Sequence, residues 1–304
     1  MFEKNKLFFS LKIILLFLYL SKKSQEETQF DNVLFPTTLT LLNQNIAMVE
    51  RDGIHFYSSE LVEDTSKAIL FEKEFSDVSE SEKVAMAQFS EEDEGYILIL
   101  TNEIIYFFES EGTNIDNVNL TDIIDAAHYC LTPFKKEDNY LYYLISYAVV
   151  GGLTIKQFKF NINSHINELI LSNNYGMLTQ YYNSSTAIPN SIVGVSCIFM
   201  SISSIDHDIF TCFYSIYYPT EIQTKSFDPL NNFKELTVLF NYYFNGTDFP
   251  ILYYISALTN QDKQNALIFC ISKNPFWMTF NFKDSFSNHI PIFNDSSFLV
   301  LLYH

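Results

Sequence analysis

Residues 266–283 read ALIFCISKNPFWMTFNFK. In the second half, Phe276, Met278, Phe280 and Phe282 alternate with Trp277, Thr279, Asn281 and Lys283. A period of two places the four apolar residues on one face of a strand. The first half, Ala266–Ile271, is apolar throughout and too short for a buried helix, so it reads as a strand covered on both faces. Asn274-Pro275 supplies the turn between them. The stretch therefore predicts an antiparallel hairpin inside an all-β chain.

The same pairing recurs along the sequence. Ile46–Glu50 is followed by Ile54–Ser58 across an Arg51-Asp52-Gly53 turn. Tyr96–Leu100 is followed by Ile104–Phe108, and Leu141–Tyr147 by Leu153–Ile162 across Gly151-Gly152. Ile209–Tyr217 is followed, less clearly, by Ile222–Phe227. Apolar runs at Val84–Phe89, His128–Phe134, Val195–Ser201 and Ile251–Leu258 precede these pairs. Ile, Val, Phe, Tyr and Thr dominate the runs, as suits a pleated surface. The first strands of successive pairs are about 50, 46, 68 and 57 residues apart. A repeat of this length built from three or four strands is the pattern of β-propeller blades. The expectation is an all-β, propeller-like array of about five units spanning residues 30–304. A twisted β-sandwich with irregular strands is the alternative architecture.

The two long spacings imply insertions. Ser172–Pro189 is polar and turn-rich, and reads as a loop. Asp228-Pro229 followed by Leu230, Phe233, Leu236, Leu239 and Phe240 has helical spacing behind an N-cap and N1 pair, so a short helix is expected over 228–240. A second short helix is expected near Thr121. Phe298–Tyr303 (FLVLLY) reads as the opening strand of a further unit, so the array is expected to be incomplete at its C-terminal end.

The segments NYLYYLISYA, GLTIKQFKFNI and TNQDKQNALIFCI, rich in Tyr, Phe, Asn and Ile beside a single Arg, resemble blades of uncharacterised secreted propeller-like proteins from AT-rich genomes. No WD dipeptide, kelch glycine pair, YWTD or S-x-D-x-G-x-T-W box accompanies the resemblance, so no named family follows from it. It implies a rigid extracellular platform.

Compartment is read from the N-terminus. Residues 1–24 hold Lys4 and Lys6, then an apolar run whose uninterrupted core is Ile13–Leu20. A core of this length suits a signal peptide, or an uncleaved signal-anchor, better than a membrane span of roughly 20 residues. Four acceptor sequons begin at Asn119, Asn183, Asn245 and Asn294, which are candidate N-glycosylation positions. The four cysteines (Cys130, Cys197, Cys212, Cys270) allow three pairings. A hairpin centred near Ile205 would place Cys197 opposite Cys212, a candidate disulfide, while four free thiols packed in the core is the other reading.

Charge excludes one class of partner. With 36 acidic against 18 basic side chains, the formal charge is −18, opposite in sign to what counterion release from nucleic acid requires. Twelve acids between Glu60 and Glu94 face only Lys67, Lys73 and Lys83, so half of that charge lies in one stretch. Solvated loop tips account for it as well as a steering surface does.

Searches for chemistry end without an assembled site. Asp206-His207-Asp208 is the densest cluster of metal-ligating residue types, but it also suits a solvated turn. Ser196 in Gly194-Val195-Ser196-Cys197 lacks the closing glycine of a nucleophile elbow. No H-E-x-x-H, C-x-x-C, G-x-G-x-x-G or P-loop is present, and no cofactor is expected. The expected function is a secreted or cell-surface, non-catalytic interaction module binding protein or glycan through blade loops. Two alternatives stand beside it. One is a secreted carbohydrate-active hydrolase using a carboxylate pair that the sequence cannot single out. The other is a membrane-anchored ectodomain held by the N-terminal segment.

Overall fold

The alternating and fully apolar runs pair as antiparallel strands in a computed structural model of the chain. It describes residues 40–42, 45–50, 53–57, 65, 69–70, 85–91, 94–101, 104–110, 113–120, 129–149, 152–176, 192–216, 221–236, 241–243, 254–259, 262–271 and 276–291. Sheet I contains β1 (Thr40–Leu42), β2 (Asn45–Glu50), β3 (Gly53–Tyr57) and β4 (Ile69–Leu70). Sheet II contains β5 (Ala85–Glu91), β6 (Glu94–Leu100), β7 (Ile104–Glu109) and β8 (Asn114–Asn119). Sheet III contains β9 (Tyr129–Glu137), β10 (Tyr140–Val149), β11 (Gly152–Asn161) and β12 (Ile166–Gly176). Sheet IV contains β13 (Ile192–Ser201), β14 (Asp208–Ile216), β15 (Glu221–Asp228) and β16 (Lys234–Leu236), with β17 (Asn241–Tyr243) also pairing on β15. Sheet V contains β18 (Tyr254–Thr259), β19 (Ala266–Ile271), β20 (Phe276–Asn281) and β21 (Ser285–Pro291).

Each sheet is a meander in chain order, and these five consecutive sheets are the blade-like units of the all-β, propeller-like fold. The chain divides into two compact units, with the boundary between Asn119 and Leu120. Sheets I and II belong to the first unit and sheets III to V to the second.

Within the first unit, β1 lies beside β5. Ile97, Leu98, Ile99 and Leu100 are all buried, so β6 is covered on both faces as its unbroken apolar run predicts.

Within the second unit, the first strands of successive sheets lie side by side. The Cys197 N–H donates to Cys130 Sγ at 3.0 Å, and the Thr132 hydroxyl donates to the Cys197 carbonyl at 3.3 Å, joining β9 to β13. The Ala257 N–H donates to Ser196 Oγ at 2.9 Å, joining β13 to β18. Phe134 meets Phe199, and the Ser201 N–H reaches the Lys263 carbonyl at 2.8 Å. These pairs advance together along the chain, so the three strands run in one direction.

Sheet IV is covered on both faces. Val195, Cys197, Cys212, Tyr214 and Phe227 pack with Cys130, Leu144, Leu153 and Ile155 of sheet III. Met200, Phe213 and Ile222 pack with Ile255, Ala257, Ile268, Met278 and Phe280 of sheet V. Full burial of one such side chain contributes about 1.5–3 kcal/mol, which explains why the central strands carry apolar residues at both parities. The polar residues among them are paired. Thr211 Oγ1 lies 3.1 Å from Ser226 Oγ, and the Tyr214 hydroxyl donates to Gln223 Oε1 at 2.7 Å. Buried Lys225 donates to the Gly176 carbonyl and to Glu235.

Two expectations change. The helix expected over 228–240 is a single 3-10 turn, Pro229–Asn231, followed by strand β16. Asp228 caps it as predicted, accepting from the Leu230 N–H. Asn232 and Phe233 then adopt φ of 50° and 55°, which ends any right-handed helix. Tertiary contacts hold that bend: Phe233 is buried against Phe210, and its carbonyl accepts the Tyr175 hydroxyl. Of the loop expected over 172–189, Ser172–Gly176 belongs to β12 instead, and 177–189 lie outside the described residues. The helix expected near Thr121 and the strand expected at 298–303 lie outside the described residues. No helix among the described residues is long and apolar enough to cross a membrane.

Candidate interaction surface

Two tight turns at one corner of sheet III hold the most distinctive surface group. Asp138 and Asn139 join β9 to β10, with Asp138 at φ 51°. Residues 162–165 join β11 to β12, with His165 at φ 59°. Asn161 Oδ1 accepts from the backbone N–H groups of Asn163 and Ser164, a side-chain cap of the kind Asn supplies in turns. The Ile162 N–H donates to the Asn139 carbonyl at 2.8 Å, tying the two turns together.

Register places chemistry beside these turns. Lys135, Tyr142, Lys159 and Glu168 are direct cross-strand neighbours in one row. Glu137, Tyr140, Asn161 and Ile166 form the next row on the same face. Lys135 bonds Glu137 and Lys159 bonds Glu168, both at 2.8 Å. The Lys135 ammonium also sits 5.4 Å from the Tyr142 ring centre, and the Lys159 ammonium 5.2 Å from that of Tyr140. Their carboxylate partners, Glu137 and Glu168, push both ammoniums above the ordinary lysine range.

The rings are anchored from below. Tyr142 meets Phe134, Phe134 meets Phe199, and Phe199 meets Phe210, with centroids 6.3, 5.5 and 5.1 Å apart. Tyr142 is thus the half-buried outer end of an aromatic series that descends into the core between sheets III and IV, and half-buried Tyr140 lies beside it on the same face. No hydroxyl partner is found for Tyr140 or Tyr142 among the described residues. In contrast, the hydroxyls of Tyr143, Tyr175 and Tyr214 bond Asn167, the Phe233 carbonyl and Gln223.

Exposed apolar side chains lie on the outer strand of the same sheet, β12. Ile166 (54%), Leu169 (42%), Ile170 (45%) and Leu230 (77%) are the exposed large apolar residues among the described ones. Three belong to β12. Ile170 sits in a bulge, where the β11–β12 register shifts between Gln157 and Phe158.

None of these surface residues stood out in the sequence. Leu141–Tyr147 reads as a covered strand, and the polarity of β12 hides it altogether. The available signal was the placement of Lys and Glu on either side of two short polar turns.

The candidate positions from the sequence fall elsewhere. Cys197 and Cys212 are directly opposed across β13 and β14, with Cα atoms 4.0 Å apart, and a disulfide joins them. Cys130 is a buried free thiol beside them, and burial pushes its pKa up. Asn119 is exposed at the end of edge strand β8. Cys270 lies in β19, opposite Ile255 of β18 and Phe276 of β20. Asn183, Asn245 and Asn294 and most of the acidic 60–94 stretch lie outside the described residues.

Asp206 is exposed, whereas its neighbours are committed to partners. Asp208 accepts from Ser201 at 2.5 Å and Lys263 at 2.6 Å, and His207 Nε2 lies 2.9 Å from Asp228. This cluster ties the turn of sheet IV to that of sheet V. Among the described residues no group of three or more His, Cys, Asp or Glu is placed to hold a metal ion. Ser196 is buried and accepts from Ala257, so it is a link between sheets.

No family model matches the sequence, and no curated protein matches it. Solved structures that it resembles include β-propeller domains. The WD40 domain of Neurospora crassa Pan2 is 12% identical, with 84% of this chain and 66% of that one covered and a TM-score of 0.45. The β-propeller domain of Vanderwaltozyma polyspora Nup133 is 10% identical, with coverages of 75% and 66% and a TM-score of 0.41. A luciferin-regenerating enzyme is 9% identical, with coverages of 83% and 74% and a TM-score of 0.43. This chain spans just under two thirds of the length of the first two.

Proposed function

We propose that this chain is a secreted or cell-surface interaction module without catalytic activity, which binds protein or glycan through the turns at the exposed corner of sheet III. The observation that carries the reading is the grouping there of exposed Ile166 and Ile170 with Tyr140, Tyr142 and two Lys–Glu pairs. Aromatic and apolar groups set among charged ones are the composition of recognition surfaces. The signal-like N-terminus, the sequon at exposed Asn119 and the Cys197–Cys212 disulfide support an oxidising, extracellular setting.

The test is saturable binding of the fluorescently labelled chain to cell surfaces and extracellular matrix. Ile166→Asp with Ile170→Asp is expected to weaken it by about tenfold, as loss of a central contact does. Leu230→Asp, on the separate 229–231 turn, is expected to leave it unchanged. Equal binding by all three proteins overturns the reading. Turnover of chromogenic glycosides by the purified chain would favour the hydrolase alternative instead.

A further inference from the structure

We infer that the Tyr140–Tyr142 face of sheet III is an oligosaccharide-binding site, a reading that rests on the proposed interaction role and names its ligand class. Tyr140 and Tyr142 are two residues apart on one strand and point to one face, so their rings lie roughly 7 Å apart. The carbon face of a pyranose ring is apolar and its rim carries hydroxyls. A half-buried phenol matches both parts, offering a ring face and a polar tip.

The surrounding groups supply what sugar hydroxyls need. Each ammonium of Lys135 and Lys159 spends one donor on its carboxylate and keeps others. Glu137 and Glu168 offer remaining lone pairs, and the two phenol hydroxyls both donate and accept. Donors and acceptors therefore alternate around the rings. The two cations and two anions cancel, so the site lacks the net positive charge that a polyanion would require.

The rings are also held before a ligand arrives. The Lys135 and Lys159 ammoniums each lie over one face of Tyr142 and Tyr140, and Phe134, itself backed by Phe199, supports Tyr142 from the interior. Rigidity of this kind reduces the entropy lost on binding a flexible sugar chain.

A peptide strand added to the edge of β12 is the competing occupant. The bulge at Ile170 interrupts the register of that edge, and bulges end or redirect strand pairing. The geometry thus favours the sugar.

The experiment uses the intact chain on an array of defined neutral and acidic oligosaccharides, with the bound ones remeasured by titration calorimetry. Binding of at least one neutral oligosaccharide is expected. Tyr142→Ala is expected to reduce its affinity by about tenfold and Tyr140→Phe with Tyr142→Phe by about threefold, while Leu230→Asp has no effect. The Phe variants keep both rings, so they decide the matter even if the Ala variant unfolds. Raising salt from about 50 mM to about 500 mM is expected to change the affinity less than about twofold. A blank array, or binding untouched by the Tyr variants, overturns the inference. A blank array with surface binding that still depends on Ile166 and Ile170 would overturn the sugar alone and leave the interaction role standing.

Discussion

Asp208 shows what one side chain contributes to the contact between sheets IV and V. Burial opposes its ionisation, but the Lys263 ammonium and the Ser201 hydroxyl outweigh that and hold its carboxyl below the usual range. A carboxyl depressed in the folded state stabilises above its unfolded pKa of about 3.9 and loses that stabilisation as pH falls through the folded value. Asp208→Asn is therefore expected to lower stability by about 0.5–1 kcal/mol at neutral pH, the scale of a partly exposed pair. The gap to the unmodified chain should close as the pH falls through the folded pKa of Asp208, which urea titrations at neutral and acid pH would show. Cys130 makes a second case. Iodoacetamide should leave it unmodified in the folded chain, because burial suppresses its thiolate. After unfolding without reductant Cys130 should react, whereas Cys197 and Cys212 should react only once reduced. Peptide mapping would distinguish them, and alkylation of Cys197 without reductant would refute the disulfide.

At the scale of the element, the β10–β11–β12 meander depends on one close approach. Gly152 pairs with Gly176 where β11 meets β12, and a Cβ on Gly152 would collide with the Tyr175 carbonyl oxygen. That atom is backbone and cannot rotate away. Gly152→Ala is expected to destabilise by about 1–3 kcal/mol, as overpacking does. Gly176 faces open space, so Gly176→Ala should stay within about 0.5 kcal/mol. Thermal unfolding of the two variants checks the contrast, and equal midpoints would refute it. The outer strands β8 and β12 show where local pattern stops carrying information. NIDNVN and INELILSNNYG are exposed along much of their length, so no apolar periodicity marks them. They are strands because a neighbouring strand offers its free edge. The 3-10 turn at Pro229 makes the opposite point: a helical pattern yields when Phe233 gains more by burial against Phe210.

For the whole molecule, charge and compartment are the testable properties. Exposed Asn119 is expected to carry a glycan when the chain passes through a secretory pathway. Asn119→Gln should then remove one endoglycosidase-sensitive step in electrophoretic mobility. An unchanged mobility would count against both occupancy of that position and the extracellular reading.

Patterning by itself indicated the all-β class and the recurrence of about five strand groups, and it offered a hairpin opposing Cys197 and Cys212 beside the reading of four free thiols. These follow from side-chain parity and turn chemistry, which are local and written in consecutive residues. Tertiary structure decided which polar residues matter. Lys135, Tyr142, Lys159 and Glu168 come from four different strands and share a row only through register. Ser196 became a link between sheets because Ala257 lies 61 residues further on and beside it. Asp206-His207-Asp208 became a joint because Lys263 and Asp228 approach from elsewhere in the chain. Spatial neighbours that are distant in sequence leave no periodic trace, so a surface assembled from them appears only once the strands have paired.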